Sequence, residues 1–206
     1  MALVLSGLPQ LNKRLGVTRP QTERLFRGLV VDRLDDRAST EAFTGPLRGM
    51  SIGCNRDVLD AIIPEMAGYP HFIQLYGAEL WSAAKAQGRK RFTLSLLRAT
   101  LPTILERIEA DMYDFRMSQL NADQRDLLVL ASKTSGPPLT ADGLAAAGVA
   151  RDLAVRELGE LEELGILTDP ADRGEYSYTV PGFHAYLIRR GDRWASTATN
   201  VGLSPT

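Results

Sequence analysis

The chain has 206 residues, 44% hydrophobic and 24% charged, with a formal net charge of -1; this excludes a disordered or fibrous chain and gives no global attraction to nucleic acid or anionic membrane. Its single cysteine, Cys54, rules out an intramolecular disulfide and fits a reducing, cytoplasmic setting. The short apolar start lacks the basic leader of a signal peptide, and no run of about 18 apolar residues offers a membrane span.

Leu3-Val4-Leu5, closed by Ser6-Gly7-Leu8-Pro9, reads as a buried strand ending in a turn. Such a strand needs neighbours, and only Leu29-Val30-Val31 offers a second, so the sheet is expected to be incomplete. Helical signals begin at Asp35. Asn55 is placed to cap a helix with Val58, Leu59, Ile62, Ile63 and Met66 on one stripe, closed by Gly68. Pro70 suits the first turn of the next helix and biases Tyr69 toward an extended conformation. Ile73, Tyr76, Leu80 and Ala84 line that helix, with Phe72 and Trp81 packing nearby. A third helix is expected from Thr93 to about Met117, through Leu96, Leu97, Leu101, Ile104, Leu105, Ile108 and Met112, kinked or divided at Pro102.

After Ser118 the rhythm changes. Asn121 caps a helix, Gly136-Pro137-Pro138 breaks it, and Thr140 starts a short one ending near Gly148. A helix from about Arg151 to Leu164, with Leu153, Leu158, Leu161 and Leu164 apolar, stops at Gly165. Ile166-Leu167-Thr168 and Tyr176 to Val180 then form a hairpin around the turn Asp169 to Gly174. Three helices and a hairpin are the winged-helix pattern. Phe183 to Arg190 is expected to be a last helix, and Gly191 to Thr206 to fray.

The chemical motifs are few. No phosphate loop of the Gly-x-x-x-x-Gly-Lys-Ser/Thr type occurs. Leu29-Val30-Val31-Asp32 resembles the strand and aspartate that hold magnesium in nucleotide hydrolases, but without that loop an ordinary strand end explains it better. His71 and His184 are the only histidines and stand without a ligand partner at metal spacing, so no metal is expected. No serine elbow or base partner points to a hydrolase.

Taken in order, the strand tip at Ser6, the segment Thr22-Glu23-Arg24-Leu25-Phe26, the Gly68-Tyr69-Pro70 corner and the winged-helix pattern resemble the C-terminal half of an AAA-type P-loop ATPase. The likeness is to the branch near the origin-recognition-like and signal-transduction (STAND) ATPases. It covers about Ala2 to Arg190 and rests on the ordered set of motifs, not on one of them.

The resemblance implies a mainly α chain: a helical AAA-type lid, then a winged-helix domain, with a strand remnant at the N-terminus. Residues 1–34 would be the core remnant, 35–118 the lid, 119–190 the winged helix and 191–206 a flexible tail. Ser6 would sense the γ-phosphate, where a turn serine is the plain alternative. Arg24 would be an arginine finger, with Arg19 a weaker competitor and an exposed helix arginine the plain alternative. Gly68, Tyr69, Pro70 and His71 would border the nucleotide, the free amides of the helix start favouring phosphate; a simple helix hairpin is the alternative. Where related ATPases carry arginine after the proline, this chain has His71, which favours positioning over strong phosphate sensing.

ATP is therefore the implied cofactor, bound only together with a missing phosphate-loop half, and the chain is not expected to hydrolyse it alone. Implied partners are that core or a neighbouring subunit, and a protein at the winged helix. A DNA-reading wing or a pure interaction module are the alternatives. Duplex binding through the third helix is disfavoured, because Arg151 and Arg156 face Asp152, Glu157, Glu160, Glu162 and Glu163, and the turn adds Asp169, Asp172 and Glu175. The basic run Lys85, Arg89, Lys90 and Arg91, with Arg98, is a solvated helix end, a contact for an anionic partner, or a dock for the acidic winged helix.

Overall fold

Asp35 starts the first helix by accepting the Ala38 N–H on its own Oδ1 at 2.7 Å, and α1 then runs Asp36–Gly49. The computed structural model describes residues 32–195. The expected strands at 3–5 and 29–31, and the candidates Ser6, Arg19 and Arg24, lie outside the described residues. Within them helix predominates, as expected of a mainly α chain, and each strand is two residues long. No described helix is long and apolar enough to cross a membrane. Two compact units are formed, Arg33–Leu120 with Val180–Tyr186, and Asn121–Thr179 with 187–195.

In the first unit α1 is followed by β1 (Gly53–Cys54), α2 (Arg56–Met66), α3 (Pro70–Ala86), β2 (Arg91–Phe92) and α4 (Leu94–Ile108). Val58, Ile62, Ile63 and Met66 of α2 are buried, and so are Phe72, Ile73, Tyr76, Leu80 and Ala84 of α3, the stripes that the helical period marks. Phe43 and Leu47, one turn apart on α1, complete the packing, with the Phe43 ring edge-on to Phe92 at 6.2 Å. The strands β1 and β2 pair in parallel, Gly53 opposite Arg91 and Cys54 opposite Phe92. Each strand leads directly into a helix.

Two expectations here are corrected. Pro102 does not divide α4. It sits inside a continuous helix capped by Thr93, and both Pro102 and Arg98 are exposed, so the carbonyl deprived of its donor lies on the solvent side. The regular helix instead gives way at Glu109–Asp114, a π-helical segment that precedes α5 (Phe115–Ser118). Leu105, expected on the apolar stripe, is 42% exposed. The π-helical segment carries Tyr113 against Phe183 and Tyr186, with ring centroids 5.5 and 5.0 Å away, and the Tyr113 hydroxyl donates to the Pro181 carbonyl at 2.7 Å. The Tyr186 hydroxyl donates to Asp114.

The second unit begins with α6 (Ala122–Thr134), whose Asn121 and Gln124 cap one another's backbone amides reciprocally. After the cis Pro137–Pro138 peptide come α7 (Ala141–Ala146), capped by Thr140, and α8 (Arg151–Glu163). β3 (Leu167–Thr168) pairs antiparallel with β4 (Ser177–Tyr178), and Leu139, between α6 and α7, forms a bridge to Tyr176. The hairpin is thus shorter than expected, and a third segment joins its edge. Leu158 and Leu161 are buried, whereas Leu164 is 50% exposed. α9 spans Phe183–Arg190; the chain expected to fray beyond it continues as a 3-10 turn, Gly191–Arg193, with Gly191 buried and Arg125 over the Trp194 ring at 5.5 Å.

Candidate functional site

The corner between α2 and α3 is built from two successive left-handed residues. Ala67 has φ 46° and Gly68 φ 67°. The Ala67 N–H closes α2 onto the carbonyls of Ile63 and Pro64, and the Tyr69 N–H returns to Met66 at 2.8 Å. Helix α2 therefore ends at Met66 with Ala67 as its C-cap, and Gly68 follows as the left-handed residue that closes it, as expected. Its role is close approach: a Cβ at Gly68 would penetrate the Leu34 carbonyl, and the Gly68 carbonyl accepts the Leu34 N–H at 2.9 Å.

Tyr69 is extended (φ -83°, ψ 114°) and Pro70 is the first residue of α3, which no side chain caps. The Tyr69 ring stands edge-on to Phe72 at 5.0 Å. His71 is exposed. The four corner candidates are contiguous, but they do different things: Gly68 and Tyr69 fix the turn, Pro70 lines a groove, and His71 is exposed and is not part of that groove's lining.

That groove, about 480 Å³, lies between α1 and α3 and is bounded by Leu34, Phe43, Leu47, Met50, Pro70 and Trp81, with Gln74 as its one polar wall side chain. Sequence reasoning missed it and placed Trp81 in the core; Trp81 is half-buried and Lys85 Nζ lies over its ring at 4.9 Å. The available signal was Phe43 and Leu47 at helical spacing, opposite the Pro70 end of α3. No group of three or more metal-ligating side chains exists among the described residues.

In the second unit the third helix, α8, presents less free charge than its composition gives. Arg151 pairs with Asp142 at 3.0 Å, and Arg156 donates to Glu157 Oε1 at 2.8 Å and approaches Glu160 at 3.9 Å. Glu157, counted above as surface charge, is buried at 3% exposure, and its Oε2 has no hydrogen-bond partner among the described residues. Asp169 is likewise folded inward. Burial alone would raise its pKa, but backbone N–H groups of Arg173, Gly174, Glu175 and Ala171 outweigh it and hold the carboxyl below the usual range, Gly174 donating at 2.6 Å.

No family model matches the chain, and no curated protein or solved structure matches it. The corner offers uncapped helix-start amides beside an apolar groove. The α8 surface offers paired arginines among carboxylates and an exposed Val155, an arrangement unsuited to phosphate.

Proposed function

We propose that this chain is the nucleotide-sensing lid and winged-helix regulatory part of an AAA/STAND-type ATP-binding protein, acting with a phosphate-loop half that it does not itself contain. The observation that carries the reading is the Leu139–Tyr176 bridge. It adds a strand segment from between the first and second helices of the second unit to the hairpin that follows the third. Helix, strand, helix, helix, strand, strand is the order of a winged helix, and it stands directly after a helical unit whose Pro70 corner borders a groove. In this reading Gly68, Tyr69 and Pro70 hold the nucleotide edge, His71 positions it, and Ser6 and Arg24 act as sensor and finger in the assembled protein.

The winged helix contacts protein instead of reading DNA, because both α8 arginines are engaged by carboxylates and desolvating them against phosphate would first break those pairs. Two measurements test the proposal. The transcript immediately upstream of Met1 is expected to encode a phosphate loop in frame. Calorimetry of the chain alone is expected to show no ATP binding tighter than millimolar. An in-frame stop upstream together with micromolar ATP affinity would overturn the reading.

A further inference from the structure

Residues 85–98 contain Lys85, Arg89, Lys90, Arg91 and Arg98 and no carboxylate, in a chain whose net charge is only -1. All five side chains are exposed, and none forms an ion pair among the described residues. The fold gathers them. Gln87 ends α3 and Gly88 turns the chain left-handed at φ 62°, which brings Arg89 onto Ser95 (Nη1 to Oγ, 3.5 Å) at the start of α4. Arg98 follows Ser95 by three residues on the same face of α4. The parallel pair sets Arg91 opposite Gly53, where the missing side chain makes room: a Cβ there would lie 3.0 Å from the Arg91 guanidinium carbon. Arg91 Nη1 reaches Asn55 Oδ1 at 3.4 Å. On α2, Asp57 Oδ1 accepts the Val58 N–H and Asp60 pairs with Arg56.

We propose that this end of the helical unit, formed by Lys85, Arg89, Lys90, Arg91 and Arg98, binds the phosphate backbone of duplex DNA without reading its sequence. The cations are accompanied by hydroxyl and amide side chains, Thr93, Ser95 and Asn55, the usual company of phosphate contacts. Three of the segment's four large apolar side chains are turned inward, Phe92 at 0% exposure, Leu96 at 1% and Leu97 at 6%, while Leu94 is half-buried. Protein hot spots sit in well-packed, desolvated pockets, and a membrane-surface site needs apolar side chains to insert. A phosphate backbone needs neither. The inference is independent of the nucleotide reading above, and it places DNA contact on the helical unit.

The test is fluorescence anisotropy of a labelled duplex of about 20 base pairs with the full chain. With three to five phosphates neutralised, the log–log salt slope is about -0.9 for each, so raising NaCl from about 50 to 200 mM weakens Kd by about 40- to 500-fold. The R89E/K90E/R91E variant is expected to weaken Kd at least about tenfold with unchanged circular dichroism, and Arg98→Ala to flatten the salt slope by about one. The proposal fails if no binding is seen at 50 mM NaCl, or if the triple variant binds as well as the parent. It also fails if Arg151→Ala with Arg156→Ala removes binding instead, which would assign the DNA to the winged helix. Displacement of the duplex by polyglutamate at equal charge concentration would assign the surface to an acidic protein segment and overturn it too.

Discussion

Leu34 and Gly68 are joined backbone to backbone, the Leu34 N–H donating to the Gly68 carbonyl at 2.9 Å while the Leu34 carbonyl occupies the space a Gly68 side chain would need. The segment entering α1 is thereby tied to the corner that starts α3, and Leu34 and Pro70 reach the same groove.

Gly68→Ala is therefore expected to be destabilising on two counts. Its φ of 67° is strained for any residue with a Cβ, and the added methyl must displace main chain instead of a yielding side chain. The combined effect is about 2 kcal/mol or more, read as a lower urea midpoint by circular dichroism. Tyr69→Ala, which removes a ring but leaves the turn, serves as the comparison. A Gly68→Ala chain as stable as the parent would mean that Leu34 is not held here.

Asp169 predicts an acid sensitivity. Its carboxyl is held below the ordinary 3.8 by backbone N–H groups of the turn, so the ionised form is favoured by folding. That contribution is fully present above the unfolded value and disappears as pH falls below about 4 through the lower folded value. Asp169→Asn is expected to unfold more readily than the parent at pH 7, and the gap should be smaller at pH 3. Thermal melts at the two pH values check this; a gap that stays constant would place the effect elsewhere.

The sequence announces its helix starts because those signals are local. Pro70, Thr93, Asn121 and Thr140 each stand where a cap or first turn is found, since a capping side chain and the amide it serves lie within three residues. The β1–β2 pair was invisible for the opposite reason. Two residues cannot display an alternating pattern, and Gly53 meets Arg91 only after two intervening helices. Of the candidate site, the Gly68–Pro70 turn was legible from its glycine and proline, while the groove was not, because it needs α1 and α3 placed together. Glu157 misled for a related cause: helical charge counting treats every carboxylate as solvated, and only packing reveals that this one faces inward.

Glu157 also gives a counterintuitive stability prediction. A buried carboxylate with one oxygen bonded to Arg156 and the other without a hydrogen bond among the described residues retains a desolvation penalty that one partner does not fully offset. Glu157→Met keeps the volume and removes the charge, and Arg156, on the surface, loses little by being released. The methionine variant is expected to gain about 1 kcal/mol in urea unfolding at pH 7. Glu157→Ala should instead lose stability by leaving a void. A less stable methionine variant would show that the carboxylate is better satisfied than this account holds.

Cys54 gives a prediction with a chemical readout, made clean because the chain has no other cysteine. Burial pushes its thiol from the ordinary 9.0 up to about 11, Asp57 adds to the rise, and Arg91 opposes it. At pH 8 about one thiol in a thousand is ionised, against about one in ten for an unperturbed cysteine, and only the thiolate attacks. Iodoacetamide labelling followed by intact-mass spectrometry is expected to be at least about tenfold slower than for a free cysteine peptide at pH 8, rising toward pH 11. Asp57→Asn should speed labelling and Arg91→Ala slow it, a pair of opposite shifts that simple shielding of the sulfur would not produce. The same displacement acts on folding. The unfolded thiol ionises from about pH 9 while the folded one stays neutral, so stability declines between pH 9 and about 11 and levels off above. Cys54→Ala lacks that component, and a parent chain whose alkaline decline matches the alanine variant would show that the thiol titrates normally.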